Sequence, residues 1–266
     1  MHESVDHFAM LKAELASIVR RERLFPGNRF TTGHEALDAT LDGGLMRGRM
    51  HELFAAEADD GASATGFAAM LMLRASGPGA PIFWLRTDEA ERRGGRIHGP
   101  GLAELGGDPD ALVLGLAPDA RTLLKSAADA ARCPGLKALV VECWGKCPAL
   151  DLTASRRLVL AAEQSGVTLF LLRLDAEPVP SAADTRWAIS AAPSQALEAK
   201  APGAPMFEIE LLRRRAGPSG MRWRLEWNRD RLIFREPTLP GAMVPLPSGR
   251  PASPGNRGTA ELRLSA

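Results

Sequence analysis

Two hydrophobic patterns succeed one another along the chain. From Met50 to Arg173, short apolar runs alternate with stretches of helical periodicity. The runs Met50–Phe54, Pro81–Arg86, Ala111–Leu114, Ala138–Glu142 and Thr168–Arg173 predict strands, and residues 62–75, 119–132 and 153–165 predict helices between them. Continuous apolar runs separated by helices are the signature of parallel strands buried on both faces. Beyond Asp175 the pattern turns to strands joined by tight turns: Trp187–Ala191, Met206–Leu212, Met221–Trp227 and Arg231–Arg235, with Gly217-Pro218-Ser219-Gly220 as a hairpin turn. These predict antiparallel strands added at one edge of the parallel sheet.

The flanks read differently. Over residues 4–24, Phe8, Leu11, Leu15, Ile18 and Val19 recur at helical spacing, and Arg20, Arg21 and Arg23 fall in the last turn, where cations suit the helix dipole. Phe25-Pro26-Gly27-Asn28 ends that helix. It either packs on its own domain or docks on a partner. From Glu236, six prolines (237, 240, 245, 247, 251 and 254) lie among Gly and Ser, a composition that cannot build a core. The predicted organisation is therefore an amphipathic helix at 1–28, an α/β domain at 29–235, and a disordered tail at 236–266.

Composition changes this picture little. A chain of 266 residues accommodates one large α/β domain with appendages, and a net charge of +1 carries no global signal for nucleic acid. Lysine occurs only at 12, 125, 137, 146 and 200, so the local arrangement of arginines is more informative than their total. Three cysteines (Cys133, Cys143, Cys147), an odd count, without a signal peptide predict a reducing, cytoplasmic setting, and Cys143 and Cys147 are read as buried structural thiols rather than a metal pair. No second Cys/His pair stands at a spacing that would complete a metal site, and no apolar run reaches membrane-spanning length.

One segment carries the trace of a specific chemistry. A phosphate-binding loop has the pattern G-x-x-x-x-G-K-[ST] between a strand and a helix. Ala55 to Ser63 stands in that context, after Met50–Phe54 and before the helical run Phe67 to Leu73. Ala56 takes the place of the first glycine, Gly61 the second, Ala62 the lysine and Ser63 the hydroxyl. The lysine is lost, and Glu57, Asp59 and Asp60 put carboxylates where a triphosphate would lie. Weak binding through backbone N–H groups at Gly61 and Ser63 stays open. Hydrolysis is not expected, since neither a lysine nor paired magnesium ligands are evident.

Several further motifs, taken in order, resemble the RecA-like superfamily. Thr32-Gly33, Leu37-Asp38, Gly43-Gly44-Leu45, Gly48-Arg49 and His51-Glu52-Leu53 resemble the approach to its first core strand. Leu139-Val140-Val141-Glu142 is an apolar strand ending in an acid at the Walker B position, with Glu142 where the family has Asp. Arg213 to Gly220 is similar to a basic hairpin that, in family members, reaches a nucleotide held by a neighbouring subunit. Within the superfamily the chain resembles the ImuA-type proteins of the bacterial mutagenesis cassette, through Gly99–Gly106, Asp108-Pro109, Leu152–Leu158, Ser181–Trp187 and Arg222–Trp227.

The resemblance implies a RecA-like core: a mainly parallel central sheet flanked by helices, with antiparallel strands at one edge. It implies a non-catalytic accessory or adaptor role in SOS-induced, error-prone translesion DNA synthesis. The implied partners are a Y-family-like polymerase homologue and an error-prone C-family DNA polymerase, in the cytoplasm and at the nucleoid when active. No cofactor is expected. The alternatives are a RecA-like DNA-dependent ATPase, opposed by Ala56 and Ala62, and a SulA-like inhibitor of cell division.

The remaining candidates are arginines. Between 213 and 235 lie Arg213, Arg214, Arg215, Arg222, Arg224, Arg229, Arg231 and Arg235 against Glu226 and Asp230. Arg213, Arg215, Arg222 and Arg224 are candidate partner or DNA contacts. Arg222 and Arg224 alternate with Trp223 on a strand, a pattern that can hold single-stranded nucleic acid and equally one with core tryptophans and solvated arginines. Self-association and direct DNA contact stay open. Asp38, Glu52 and Asp88 are read as capping and turn acids.

Overall fold

The computed structural model describes residues 28–197, 201 and 203–237. The helix expected over 4–24 and nearly all of the tail expected from 236 lie outside the described residues.

The expected strand–helix alternation is present. A short antiparallel pair, β1 (Arg29–Phe30) and β2 (Leu45–Met46), brackets helix α1 (Glu35–Thr40). Next come β3 (Met50–Ala55), a 3-10 turn at Ala58–Asp60, α2 (Gly61–Ser76), β4 (Ile82–Thr87), α3 (Asp88–Gly94) and α4 (Gly99–Glu104). β5 (Leu112–Ala117), α5 (Ala120–Ala131), β6 (Ala138–Trp144), α6 (Leu152–Ser165) and β7 (Thr168–Leu174) complete the alternating part. Then β8 (Thr185–Ala191), β9 (Met206–Arg214), β10 (Arg222–Asn228) and β11 (Ile233–Arg235) follow.

Nine strands form one sheet in the order β11-β10-β9-β8-β3-β7-β6-β4-β5. From β8 to β5 neighbouring strands are parallel, and from β8 outward through β9, β10 and β11 they are antiparallel. The fold is the expected one.

The period of two along each central strand sorts the core into two layers. Leu53, Trp84, Val140, Phe170 and Leu172 face α2, while Met50, Leu85, Val141, Leu169 and Leu171 face α5 and α6. α2 is apolar nearly all round because it packs against five strands, β3, β4, β6, β7 and β8, and Phe67 to Leu73 are all buried. α5 and α6 each cover one face only and are buried along a stripe.

The glycine-rich approach to β3 has a steric cause. Gly44 has φ +114°, and a Cβ there would meet the Phe30 carbonyl oxygen at 2.2 Å. Asp38 ties the same turn together, accepting from Thr32 N at 2.7 Å, Thr32 Oγ1 at 2.8 Å and Gly33 N at 3.0 Å. It is the capping acid the sequence predicts.

Candidate functional site

The strand–loop–helix of the expected phosphate loop is present, but its backbone is turned inward. The Ala56 amide donates to the Ile189 carbonyl at 2.8 Å, and the Asp60 amide donates to the Glu57 carbonyl at 3.1 Å. The Glu57 amide donates to Asp60 Oδ2 at 3.2 Å, and Asp60 Oδ1 accepts the Ala191 amide at 2.7 Å. A phosphate cradle needs several N–H groups converging on empty space. Here the 3-10 turn engages the Glu57 and Asp60 amides, β8 takes the Ala56 amide, and the Asp60 carboxylate stands at the N-terminus of α2, where an anion would be stabilised. Gly61 has ordinary helical angles with open space around it, so no steric need for glycine remains there.

Gly61, Ala62 and Glu142 line one cavity of about 460 Å³ between the start of α2, the ends of β4 and β6, and the α3–α4 connection. Ala56 lies apart from it, against a second cleft, and Ser63 lines neither. The first cavity is walled by Met72, Trp84, Ile97, Leu102 and Trp144, so it is largely apolar.

Glu142 is buried and fully engaged. Its Oε1 accepts from Arg86 Nη2 at 2.9 Å and from Trp144 Nε1 at 2.8 Å, and its Oε2 accepts from Trp84 Nε1 at 2.9 Å. Arg86 is buried as well and donates further to the carbonyls of Ala90 (2.8 Å) and Gly95 (2.7 Å). Arg86 and Glu142 are register partners on adjacent parallel strands, which puts both side chains on the α2 face. Arg86 and Trp84 were absent from the sequence-based candidates. The signal was an arginine inside an otherwise apolar strand run.

A second buried pair repeats this logic on the opposite face. Glu52 of β3 is in register with Arg186 of β8, whose Nε donates to Glu52 Oε2 at 2.8 Å; Ser181 Oγ donates to the same oxygen at 2.8 Å. Glu52 is thus a buried ion-pair member in mid-strand, which corrects its reading as a turn acid.

The arginine candidates separate. Arg222 pairs with Glu210 at 2.7 Å and Arg224 pairs with Glu208, both across the exposed face of the β9–β10 ladder. Trp227 is buried and Trp223 is partly buried with its ring 6.1 Å from Trp187, so both tryptophans serve the core. Arg213 folds back on the carbonyls of Ala183 and Ser181. Arg215 is exposed, and Arg213 and Arg215 line one cleft of about 370 Å³ with Arg156 and Glu163. Arg214, not a candidate from sequence, reaches the Thr40 carbonyl at 2.6 Å and Asp42 at 2.5 Å.

The crystal structure of the RadB recombinase superposes with a TM-score of 0.52, covering 78% of this chain and 99% of that one, at 14% identity. The fold is RecA-like. At that identity the likeness speaks for the fold alone. No protein-family profile matches the chain, and no curated protein matches it in sequence.

Within the RecA-like domain the described residues hold no group of three or more metal-ligating side chains. Among them, no helix is long and apolar enough to cross a membrane. Of the two thiols expected to be buried, Cys143 is buried and Cys147 is half-buried, while Cys133 is exposed.

Proposed function

We propose that this RecA-like domain is a non-catalytic adaptor of error-prone translesion synthesis, assembling with a Y-family-like polymerase homologue and a C-family polymerase. The observation that carries the reading is the self-filled nucleotide position. The Ala56, Glu57 and Asp60 amides are spent on Ile189, on Asp60 and on the loop's own backbone, and the acid at the Walker B place is held by three N–H donors. A group so engaged is not free to orient magnesium or water.

A binding role is also supported by the far edge of the sheet. β5 is the last strand, with its outer backbone unpaired among the described residues, and Val113 and Leu116 are 55% and 50% exposed. An apolar open edge of this kind accepts an extended segment of another chain.

The test is twofold. Calorimetry of the full chain with ATP and Mg²⁺ should show no tight binding, with or without single-stranded DNA. Co-purification from damaged cells should recover both polymerases, and Val113→Lys with Leu116→Lys should reduce that recovery at an unchanged melting temperature. Micromolar ATP binding with turnover lost in Glu142→Ala would instead establish a DNA-dependent ATPase.

A further inference from the structure

The buried arginines of the sheet follow a rule with one exception. Arg86 lies in register with Glu142, and Arg186 lies in register with Glu52. Arg173 of β7 is equally buried, but its register partners are Phe54 on one side and Cys143 on the other. Its Nε and Nη1 have no hydrogen-bond acceptor, and Nη2 reaches only the Gly145 carbonyl, at 3.4 Å. A guanidinium keeps its charge in any protein environment, so its burial calls for an anion.

Its guanidinium carbon lies 5.9 Å from the Phe54 ring centroid on one side, and sulfur stands on the other. Cys143 stands in register with Arg173, Cys147 lines the same cleft as Arg173, the Leu150 amide holds the Cys147 loop by donating to the Cys147 carbonyl at 2.9 Å, and Cys143 first, with Arg173 further down, lowers the Cys147 thiol to about 6. Cys143 ends β6 in the core, and Cys147 follows on the loop that turns at Gly145. Cys147 opens onto a cleft of about 820 Å³ over the carboxyl ends of β3, β6 and β7, which gives a small oxidant access. The other charged groups lining that cleft are Glu57, Lys146, Asp151, Asp175 and Glu177.

We propose that Cys147 and Cys143 form a reactive dithiol: Cys147 is the attacking thiolate, paired with Arg173, and Cys143 is the resolving thiol, closing a reversible disulfide on oxidation by a hydroperoxide. In the first step the Cys147 thiolate attacks one peroxide oxygen. The O–O bond breaks, a sulfenic acid forms, and hydroxide leaves to take up a proton as water. In the second step the Cys143 sulfur gives up its proton and attacks the Cys147 sulfur. The S–O bond breaks, a second water leaves, and the S–S bond forms. Two thiols supply the two electrons that reduce one peroxide, and an added dithiol reverses the change. This inference is independent of the adaptor reading.

The experiment titrates the reduced full-length protein with hydrogen peroxide, counting thiols and mapping peptides without reductant. One molar equivalent should remove two thiols, link Cys143 to Cys147, leave the exposed Cys133 free, and be undone by dithiothreitol. Cys147→Ser should lose thiols at least tenfold more slowly, whereas Cys143→Ala should stop at a sulfenic acid trapped by dimedone. Arg173→Gln should slow the reaction and Arg173→Lys restore it. Oxidation of Cys133 as fast as Cys147, a disulfide between two molecules, or no Cys143–Cys147 link in the wild-type map would overturn the proposal. The wild-type map decides even if the core variant Cys143→Ala does not fold.

Discussion

Replacing Glu142 separates a structural acid from a catalytic one. The carboxylate takes hydrogen bonds from Arg86, Trp84 and Trp144, and the side chains of Glu142 and Arg86 are 2% and 4% exposed. Glu142→Ala leaves a buried guanidinium without its counter-charge, which costs about 3–5 kcal/mol when one partner of a buried pair is removed. Two indole N–H groups also lose their acceptor, at about 1–3 kcal/mol each if they stay dry. The cavity beside them is open enough to admit water, so we expect a total near the first figure, about 4 kcal/mol. Removing both charges is different. Arg86→Met with Glu142→Leu trades an ion pair for apolar contacts of similar volume, and such exchanges are often close to neutral. The double variant should therefore be more stable than Glu142→Ala, an interaction energy of opposite sign to simple addition. Urea unfolding at pH 7 followed by tryptophan fluorescence measures the wild type, Arg86→Met, Glu142→Leu and the double variant as the four corners of the cycle, with Glu142→Ala alongside. A loss below about 1 kcal/mol for Glu142→Ala would refute the reasoning, because a free carboxylate poised for chemistry is removed at little cost to the fold.

Four further outcomes are expected. Ala62→Lys alone should not restore ATP binding, since the loop amides stay engaged with Ile189, Glu57 and Asp60; calorimetry with Mg²⁺-ATP checks this. Arg213→Glu should destabilise the domain by about 1–3 kcal/mol, because it severs the Ala183 and Ser181 carbonyl contacts, while exposed Arg215→Glu should change stability by less than about 0.5 kcal/mol; only Arg215 is thus a clean probe of assembly, read by sedimentation. Burial holds His51 below the ordinary imidazole value of about 6.5, so the unfolded chain binds a proton there that the folded one refuses. Stability should then fall as pH drops below about 6.5, at up to about 1.4 kcal/mol per pH unit, and His51→Gln should flatten that slope in melts across pH 5–7. The Cys143 hydrogen bond first, then the Leu150 amide and Arg173, bring Cys147 down to about 6, so its iodoacetamide alkylation should rise through about pH 6 and be nearly level at neutrality; a midpoint near the ordinary thiol value would contradict that environment.

The described elements match the pattern read from sequence where burial is simple. β3, β4, β6 and β7 are buried along nearly their whole length because both faces of the parallel sheet are covered, so they show no alternation of apolar and polar residues, and their charged members Glu52, Arg86, Glu142 and Arg173 are buried too. β9 alternates Phe207, Ile209 and Leu211 inward with Glu208 and Glu210 outward because one face is wet. Short α1, α3 and α4 escaped detection, since one or two turns are too few to show a period.

The sequence by itself determined the α/β class, a parallel sheet with antiparallel strands at one edge, and the absence of a lysine at position 62, for these depend on local periodicity and on residue identity. Only the tertiary structure decided what fills the phosphate-loop position. Whether loop amides point outward or bond to Ile189 and Asp60 depends on the neighbouring strand β8, more than 130 residues further along the chain. Likewise Arg86 meets Glu142, Arg186 meets Glu52, and Arg173 meets Cys143 only because parallel register sets distant residues side by side. Register is fixed by long-range burial of whole strand faces, a property of the assembled sheet that no single segment carries.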